Sequence, residues 1–129
     1  PFLVMNGDSL VVGQPSWPVP CDGAIVGVPT PDAARFGTLD IGPGGRLLGF
    51  REKQPGEGVI NAGVYLLRRA LLGHFPESTP LSIEHDVFPK LLAEGADLRV
   101  AAVPGPLLDI GTPESLAGAG NFLDEHADY

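Results

Sequence analysis

Residues 51–67 require two extended strands joined by a tight turn, and they carry an unusual set of polar groups. An acid and a base, Glu52 and Lys53, stand at the end of the first strand, and a Pro/Gly turn follows them. The apolar run over residues 60–67 suits a buried strand. Asn61 interrupts that run, and a buried amide must find hydrogen-bond partners.

These polar residues allow two interpretations. A lone Asn61 is typical of a residue that caps a strand edge or bonds to the neighbouring backbone. Combined with Glu52 and Lys53 across the turn, it would place a cation, a carboxylate and an amide on adjacent strand ends. That set suits a phosphorylated polyol, because Lys attracts the phosphate charge while Glu and Asn bind hydroxyls.

The other apolar runs predict an α/β fold. Four of them are bounded by Gly or Pro and suit short strands, at residues 2–6, 22–29, 98–103 and 106–110. Residues 36–41 and 46–53 flank a glycine-rich run at 42–45 and predict a β-hairpin. Because this run joins two strands rather than a strand and a helix, it is not a dinucleotide-binding loop.

Capping residues predict the helices. Ser82 is a favourable N-cap with acids in the turn that follows, and Gly95 closes that helix. Pro89 falls inside it and predicts a kink. Thr112 followed by Pro113 predicts the start of a last helix. We expect a mixed, mainly parallel sheet flanked by two longer helices, with the hairpin as an arm.

Composition excludes several classes of function. The net charge of −8 and the pI near 4.6 argue against nucleic-acid and membrane partners. One cysteine, Cys21, excludes an intramolecular disulfide and a cysteine metal cluster. There is no basic-then-apolar leader, and no apolar run approaches the roughly 20 residues of a membrane span. The 129 residues suffice for a single domain, and because Pro1 opens directly onto a strand, we expect a longer natural chain.

Two aspartates stand at the ends of apolar runs. Asp8 follows the first strand and could be a turn residue or a helix N-cap. Asp109 precedes Gly111 and has no capping role of its own, because Thr112 caps the last helix. Since open α/β sheets bind ligands beyond the carboxyl ends of their strands, both acids are candidate functional residues.

Several motifs, in this order, resemble those of the sugar-nucleotidyltransferases, which join a sugar 1-phosphate to a nucleoside triphosphate. They are Leu3-Val4-Met5-Asn6-Gly7-Asp8, Arg35-Phe36-Gly37-Thr38-Leu39, Glu52-Lys53, Ile60-Asn61-Ala62-Gly63-Val64-Tyr65, Ser82-Ile83-Glu84-His85-Asp86-Val87-Phe88-Pro89 and Asp109-Ile110-Gly111-Thr112-Pro113-Glu114. The chain most resembles the bacterial mannose-1-phosphate and heptose-1-phosphate guanylyltransferases. The resemblance covers nearly the whole chain. It implies the second half of a Rossmann-like domain in a cytoplasmic enzyme.

The resemblance also implies roles for individual residues. Asp8 and Asp109 would bind Mg²⁺ and act in catalysis with Lys53, which would hold the sugar phosphate. The substrate site would be formed by Gly37, Glu52, Lys53, Asn61 and Glu84. From the sequence alone, Glu84 could instead be a first-turn helix acid. Because direct Mg–O bonds are only about 2 Å long, the metal prediction fails if the two aspartate carboxylates lie more than about 8 Å apart.

One part of the family pattern is missing. The N-terminal half of those enzymes has a glycine-rich loop, with an Arg and a following Lys, that binds the nucleotide. This sequence has no such run, so it lacks most of the residues that would bind the nucleotide. The resemblance implies a sugar 1-phosphate and a nucleoside triphosphate as partners. A non-catalytic remnant that binds sugar phosphate or oligomerises is the alternative. A half-sheet leaves an edge and a face uncovered, so we expect a homo-oligomer or a marginally stable chain.

A plain flavodoxin-like domain is the third alternative. It predicts no convergence of the candidate residues Asp8, Lys53, Asn61 and Asp109 in space. The arrangement of these side chains in the folded chain therefore tests it.

Overall fold

The computed structural model describes residues 1–51, 54–77 and 79–127. They form a six-stranded sheet and a separate two-stranded ribbon. The strands are β1 (Phe2–Met5), β2 (Ser9–Val11), β3 (Gly23–Thr30), β4 (Thr38–Ile41), β5 (Leu47–Arg51), β6 (Gly58–Leu67), β7 (Leu98–Ala102) and β8 (Leu107–Asp109). The ribbon consists of β2 and β8, and the other six strands form the sheet.

Strand β6 is the centre of the sheet, whose order is β5-β4-β6-β3-β7, with β1 also paired to β6. β3 follows one edge of β6 along most of its length. β1 and β4 share the opposite edge, β1 pairing with residues 64–67 and β4 with Ile60. β1 therefore ends, and β4 begins, opposite the middle of β6.

The predicted α/β fold with a mixed sheet is confirmed, although its parallel share is smaller than we predicted. Among the described strands of the sheet, only β3 and β7 pair in parallel, and the other four pairings are antiparallel. The turn between β4 and β5 joins antiparallel neighbours, and β6 then pairs antiparallel with the other edge of β4. A parallel pair needs a long crossover, and the helical segment after β6 helps to provide it here.

The predicted hairpin is confirmed as β4 and β5. Thr38 pairs with Arg51, and a 3₁₀ turn at Pro43–Gly45 joins the strands. Gly44 and Gly45 have φ values of 70° and 78°, which favour glycine and account for the glycine-rich loop.

Apolar side chains pack on both faces of the sheet. On one face, Ile25, Tyr65 and Leu67 pack with the helical side chains Phe88 and Leu91. The second cluster contains Val26, Val28, Ala33, Ile60, Ala62 and Val103, and Trp17 packs against it. Neighbouring strand residues such as Ile25 and Val26 point to opposite faces, as the pleat requires.

The helices are shorter than predicted. The segment capped by Ser82 is a π-helical turn at Ile83–Val87 followed by α1 (Phe88–Ala93). Pro89 lies in the first turn of α1, because a residue without an N–H is tolerated there. The predicted kink is thus a change of helix type. Gly95, with φ of 84°, follows the end of α1 as predicted.

Two helical segments flank the sheet as expected, but each is interrupted. α1 has six residues, and the last helix is divided at Gly118 into α2 (Pro113–Ala117) and α3 (Ala119–Glu125). The predicted start at Thr112 is confirmed, since its hydroxyl accepts from the Ser115 N–H in a capping box. Pro89 and Gly118 are both unfavourable in a helix interior, which explains the short lengths.

Part of the apolar surface is uncovered, as expected for a half-sheet. Leu3 and Met5 alternate with the packed side chains of β1 and are 51% and 63% exposed. Leu116 and Leu123 of the last two helices are also exposed. Among the residues that the structure describes, no helix has the length and apolar character needed to cross a membrane.

Candidate functional site

A cleft of about 630 Å³ lies among the β4–β5 hairpin, β6 and the helical segment that begins after Ser82. Its volume falls in the range of roughly 300–1,000 Å³ that is usual for small-molecule sites. Its polar side chains are Arg51, Asn61, Glu84 and His85, and its walls are Phe36, Gly37, Leu48, Gly49, Phe50, Pro89 and Leu92. Three residues that the sequence predicted to bind substrate, Gly37, Asn61 and Glu84, therefore share one cavity.

The Asn61 amide is the most densely bonded group in this cleft. Its Oδ1 accepts from the Gly63 N–H at 2.8 Å. Its Nδ2 donates to the Tyr65 hydroxyl at 2.8 Å and to Oε1 of Glu84 at 2.6 Å. The structural interpretation, in which Asn61 bonds to neighbouring backbone, is confirmed, but the amide also reaches a carboxylate in the cleft.

A bulge in β6 explains the Asn-Ala-Gly sequence. Ile25 pairs with Tyr65 and Gly27 with Asn61, so β6 has two more residues than β3 over this stretch. Gly63 lies in the bulge with φ of 73°, a conformation that favours glycine. A Cβ atom on Gly63 would also lie 2.5 Å from Nδ2 of Asn6. At this bulge the Asn61 side chain can accept a hydrogen bond from the Gly63 N–H of its own strand.

Tyr65 supports the network from the core. Its side chain is fully buried, and its ring meets Phe88 edge-on at a centroid distance of 5.3 Å. Burial raises the pKa of the Tyr65 hydroxyl to about 12, the Glu84 charge acts in the same direction, and the Asn61 hydrogen bond opposes both. The hydroxyl therefore stays protonated at neutral pH.

Gly37 and Glu84 occupy positions that agree with their local sequence. A Cβ atom on Gly37 would lie 3.4 Å from the Arg51 carbonyl oxygen, so the start of β4 adjoins the end of β5. Glu84 lies in the turn capped by Ser82, whose hydroxyl accepts from the His85 N–H. Glu84 is half-buried, and its alternative interpretation as a first-turn acid is compatible with its place in the cleft.

Glu52 and Lys53 lie outside the described residues. The roles that the sequence suggested for them, in binding the sugar phosphate and in catalysis, remain predictions. Arg51, which precedes them in the chain, is described and lines the cleft.

Asp8 and Asp109 come together at the end of the β2–β8 ribbon. Ser9 pairs with Asp109, and the Ile110 N–H donates to the Asp8 carbonyl at 2.8 Å. A Cβ atom on Gly111 would lie 3.0 Å from Oδ1 of Asp109 and 4.0 Å from Oδ2 of Asp8, which puts these two oxygens within about 7 Å of each other. The pair thus satisfies the distance limit set for a shared metal ion.

The chemistry of this pair fits Mg²⁺. Both residues are exposed, and Oδ1 of Asp109 accepts from the Gly111 N–H at 2.8 Å. Mg²⁺ commonly takes one or two carboxylates and completes its octahedron with water and phosphate oxygens. Within the described ranges, no three His, Cys, Asp or Glu side chains form a metal-binding group. An ion at this pair would therefore need water or phosphate as further ligands, and its binding remains a prediction.

The candidate residues form two groups rather than one cavity. The lining of the cleft includes Gly37, Asn61 and Glu84 but neither Asp8 nor Asp109. Of the four residues that the third alternative keeps apart, Asp8 and Asp109 lie close together, while Asn61 lies in the cleft and Lys53 is outside the described residues. The convergence of all four therefore stays a prediction.

Sequence reasoning missed three contributors. Arg51 forms an exposed ion pair with Asp40 at 3.0 Å and also lines the cleft. His85 is exposed and borders the same cavity. Both adjoin a predicted site residue in the sequence, which was an available signal. For the Tyr65 hydroxyl there was no such signal, because its contact with Asn61 depends on the bulge.

Comparisons with known proteins agree with the motifs. No protein-family model matches the chain. Mannose-1-phosphate guanylyltransferase of Mycobacterium tuberculosis is 34% identical over 87 residues, which are 64% of this chain and 24% of that protein. Glucose-1-phosphate adenylyltransferase of Desulfitobacterium hafniense is 36% identical over 105 residues, covering 73% of this chain and 26% of that protein. The chain spans about a quarter of the length of these curated relatives.

A solved structure matches over more of the chain. The crystal structure of HddC from Yersinia pseudotuberculosis complexed with GMP-PN has a TM-score of 0.76 and 27% sequence identity. The match covers 95% of this chain and 55% of that one. These comparisons confirm the resemblance that the motifs indicated.

Proposed function

We propose, from the premise that this chain is a partial homologue of the sugar-1-phosphate nucleotidyltransferases, that it forms the sugar-phosphate side of such an enzyme. The observation that carries the proposal is the cleft in which Gly37, Asn61 and Glu84 meet. The reaction would join a sugar 1-phosphate to a nucleoside triphosphate and release pyrophosphate.

The lining of the cleft suits a phosphorylated sugar. Glu84 supplies an acceptor for hydroxyl groups, and Arg51 and His85 supply nitrogen donors for an anion. Gly37 has no side chain, so a ligand can approach the backbone there. Lys53 is the proposed main cation for the phosphate, following the family resemblance.

The proposed chemistry is nucleotidyl transfer. A phosphate oxygen of the sugar 1-phosphate attacks the α-phosphorus of the triphosphate, a new P–O bond forms, and the bond to pyrophosphate breaks. Because several anionic groups must meet, catalysis rests on positioning and on charge neutralisation. Asp8 and Asp109 are the proposed ligands of Mg²⁺, which when bound would neutralise phosphate charge.

The favoured substrates are GTP and mannose or heptose 1-phosphate. The name of the Mycobacterium tuberculosis relative supports guanine and mannose, and the GMP-PN bound to HddC supports a guanine nucleotide. A relative of similar identity is named glucose-1-phosphate adenylyltransferase, so the names of the relatives do not agree on the base. The choice of base is therefore proposed from these names and not from a residue of the cleft.

A module that binds sugar phosphate without transferring a nucleotide is the second candidate. One observation favours it: apolar side chains such as Leu3 and Met5, which a partner in an assembly would cover, are exposed. Both candidates require an intact sugar-phosphate site, and they differ in turnover.

Calorimetric titration with mannose 1-phosphate, with and without Mg²⁺, tests the shared requirement. Lys53→Ala should weaken binding by on the order of tenfold, the loss expected for a charged hydrogen bond. Lys90→Ala is a matched control, because the Lys90 ammonium lies 3.8 Å from a Glu94 carboxylate oxygen and Lys90 is not part of the cleft lining. Equal affinities for the two variants would contradict the proposed role of Lys53.

A pyrophosphate-release assay with GTP, mannose 1-phosphate and Mg²⁺ then separates the two candidates. Turnover supports the transferase, and binding without turnover supports the module. A folded wild-type chain that binds neither mannose 1-phosphate nor heptose 1-phosphate would overturn both.

A further inference from the structure

We propose that Asn61 is a positioning residue, whose amide holds the Glu84 carboxylate so that Glu84, rather than Asn61, accepts a hydrogen bond from a sugar hydroxyl. The inference rests on the proposed sugar-phosphate site and gives two of its polar residues different roles: Glu84 contacts the sugar, and Asn61 orients Glu84. It follows from the hydrogen bonds of the Asn61 amide.

The amide has no hydrogen left for a ligand. Its two Nδ2 hydrogens are used by the Tyr65 hydroxyl and by Oε1 of Glu84. Its orientation is fixed, because the Gly63 N–H needs an acceptor and the Glu84 carboxylate needs a donor. What remains on Asn61 is one lone pair of Oδ1, whose other lone pair receives the Gly63 N–H.

Glu84, in contrast, keeps an oxygen for a ligand. Oε1 is held by Asn61 at 2.6 Å, while Oε2 has no hydrogen-bond partner among the residues that the structure describes. The side chain is half-buried and lines the cleft. An ionised carboxylate only accepts hydrogen bonds, and a sugar hydroxyl can donate one, so the two groups are complementary.

The support for this carboxylate comes from the core. Tyr65 is fully buried, and its ring packs on Phe88, so its hydroxyl is a fixed acceptor for Asn61. The Gly63 backbone holds the other end of the same amide. Two of the hydrogen bonds of the Asn61 amide, to Tyr65 and to Gly63, therefore fix its position, and the third holds the Glu84 carboxylate.

A double-mutant cycle tests whether Asn61 acts through Glu84. Calorimetric affinities for mannose 1-phosphate would be measured for the wild type, Asn61→Ala, Glu84→Ala and the double variant. We expect each single change to weaken binding by on the order of tenfold, as for a hydrogen bond to a charged group. The double variant should bind no more weakly than Glu84→Ala, because Asn61 acts through that residue.

Tyr65→Phe provides a milder variant in case Asn61→Ala does not fold. It keeps the buried ring and removes the hydroxyl that orients Asn61. We expect a loss of affinity of a few-fold that disappears in the Glu84→Ala background. Thermal unfolding of each variant shows that the comparison is made between folded chains.

Monodeoxy analogues of mannose 1-phosphate supply a readout that a general loss of structure would not produce. The wild type should lose affinity most when one particular hydroxyl is removed. For both Asn61→Ala and Glu84→Ala, the analogue that lacks this same hydroxyl should bind about as well as mannose 1-phosphate. Lost discrimination at two different hydroxyls would show that Asn61 contacts the sugar itself and would overturn the inference.

The outcomes also separate this inference from the proposed function. If the wild type binds mannose 1-phosphate but Asn61→Ala costs as much affinity without Glu84 as with it, the function stands and the positioning role is wrong. If the folded wild type binds no sugar 1-phosphate, the proposed function fails, and the inference fails with it.

Discussion

Asn6 and Asn61 bond to the two sides of a single residue, Gly63. The Asn6 N–H donates to the Gly63 carbonyl at 2.8 Å, and the Gly63 N–H donates to Oδ1 of Asn61 at 2.8 Å. Asn6 lies two residues before Asp8, and Asn61 bonds to Glu84 in the cleft. One glycine thus connects the aspartate pair with the proposed sugar site.

Gly63→Ala should destabilise the chain and weaken both sites. A Cβ atom there would meet the Asn6 side chain at 2.5 Å, in a backbone conformation with φ of 73°. We expect a loss of about 1–3 kcal/mol in the free energy of unfolding, measured by urea denaturation. Gly73→Ala is the control, because a Cβ atom at Gly73 meets nothing within 4 Å. Similar losses for the two variants would show that the bulge does not require glycine.

The stability of the chain should fall steeply at alkaline pH because of Tyr65. Its pKa is raised from 10.0 to about 12 in the fold, so the folded state keeps this proton over a range in which the unfolded state releases it. The stabilisation is complete below pH 10 and is lost as pH rises towards 12, by on the order of 2 kcal/mol. Denaturant unfolding between pH 8 and 12 measures it.

Tyr65→Phe isolates that contribution. The variant should be less stable at neutral pH by about 0.5–1.5 kcal/mol, since Asn61 loses an acceptor. Its stability should then decline less with pH than that of the wild type. Parallel pH profiles for the two proteins would refute the assignment to Tyr65.

Asp8→Asn and Asp109→Asn should each remove a response to Mg²⁺. If the pair binds the ion in the folded state only, millimolar Mg²⁺ raises the thermal unfolding midpoint of the wild type by mass action. We expect that rise to be reduced or absent in each variant. Asp124→Asn on α3 is the control and should respond as the wild type does. A wild-type chain with no Mg²⁺ response would count against metal binding by this chain alone.

Arg51→Ala should change ligand affinity more than stability. Its exposed ion pair with Asp40 contributes only about 0–1 kcal/mol to folding. Because Arg51 lines the cleft, its loss should weaken mannose 1-phosphate binding several-fold, with a larger effect at low salt. Arg69→Ala, outside the cleft lining, should leave both properties unchanged. An unchanged affinity of Arg51→Ala would remove it from the proposed site.

Local signals were sufficient for much of the fold. The glycine-rich turn predicted the hairpin, and the cap residues Ser82 and Thr112 predicted two helix starts. These features depend on neighbours within a few residues. Strand β2, at Ser9–Val11, was not predicted, because three residues carry no alternation and their pairing with β8 is a distant contact.

The candidate site was predictable in part for the same reason. The family motifs indicated Gly37, Asn61 and Glu84, which share the cleft. The bonding of Asn61 was not readable, because it depends on a bulge whose register is set by the pairing of β6 with β3. The hydrogen bond from Asn61 to the Tyr65 hydroxyl depends on the same bulge, so it could not be predicted from the sequence either.

The pairing of β1 and β4 with one edge of β6 has a consequence for how this chain can vary. The separation of the aspartate pair from the cleft depends on the number of residues along β6, including the two extra residues of its bulge. A single deletion between Ile60 and Val64 would turn the following side chains to the opposite face. Insertions at Pro43–Gly45 or in residues 12–22 leave that count unchanged. We therefore expect related chains to differ in the length of these loops but to keep the residue count of β6, if the aspartate pair and the cleft act together.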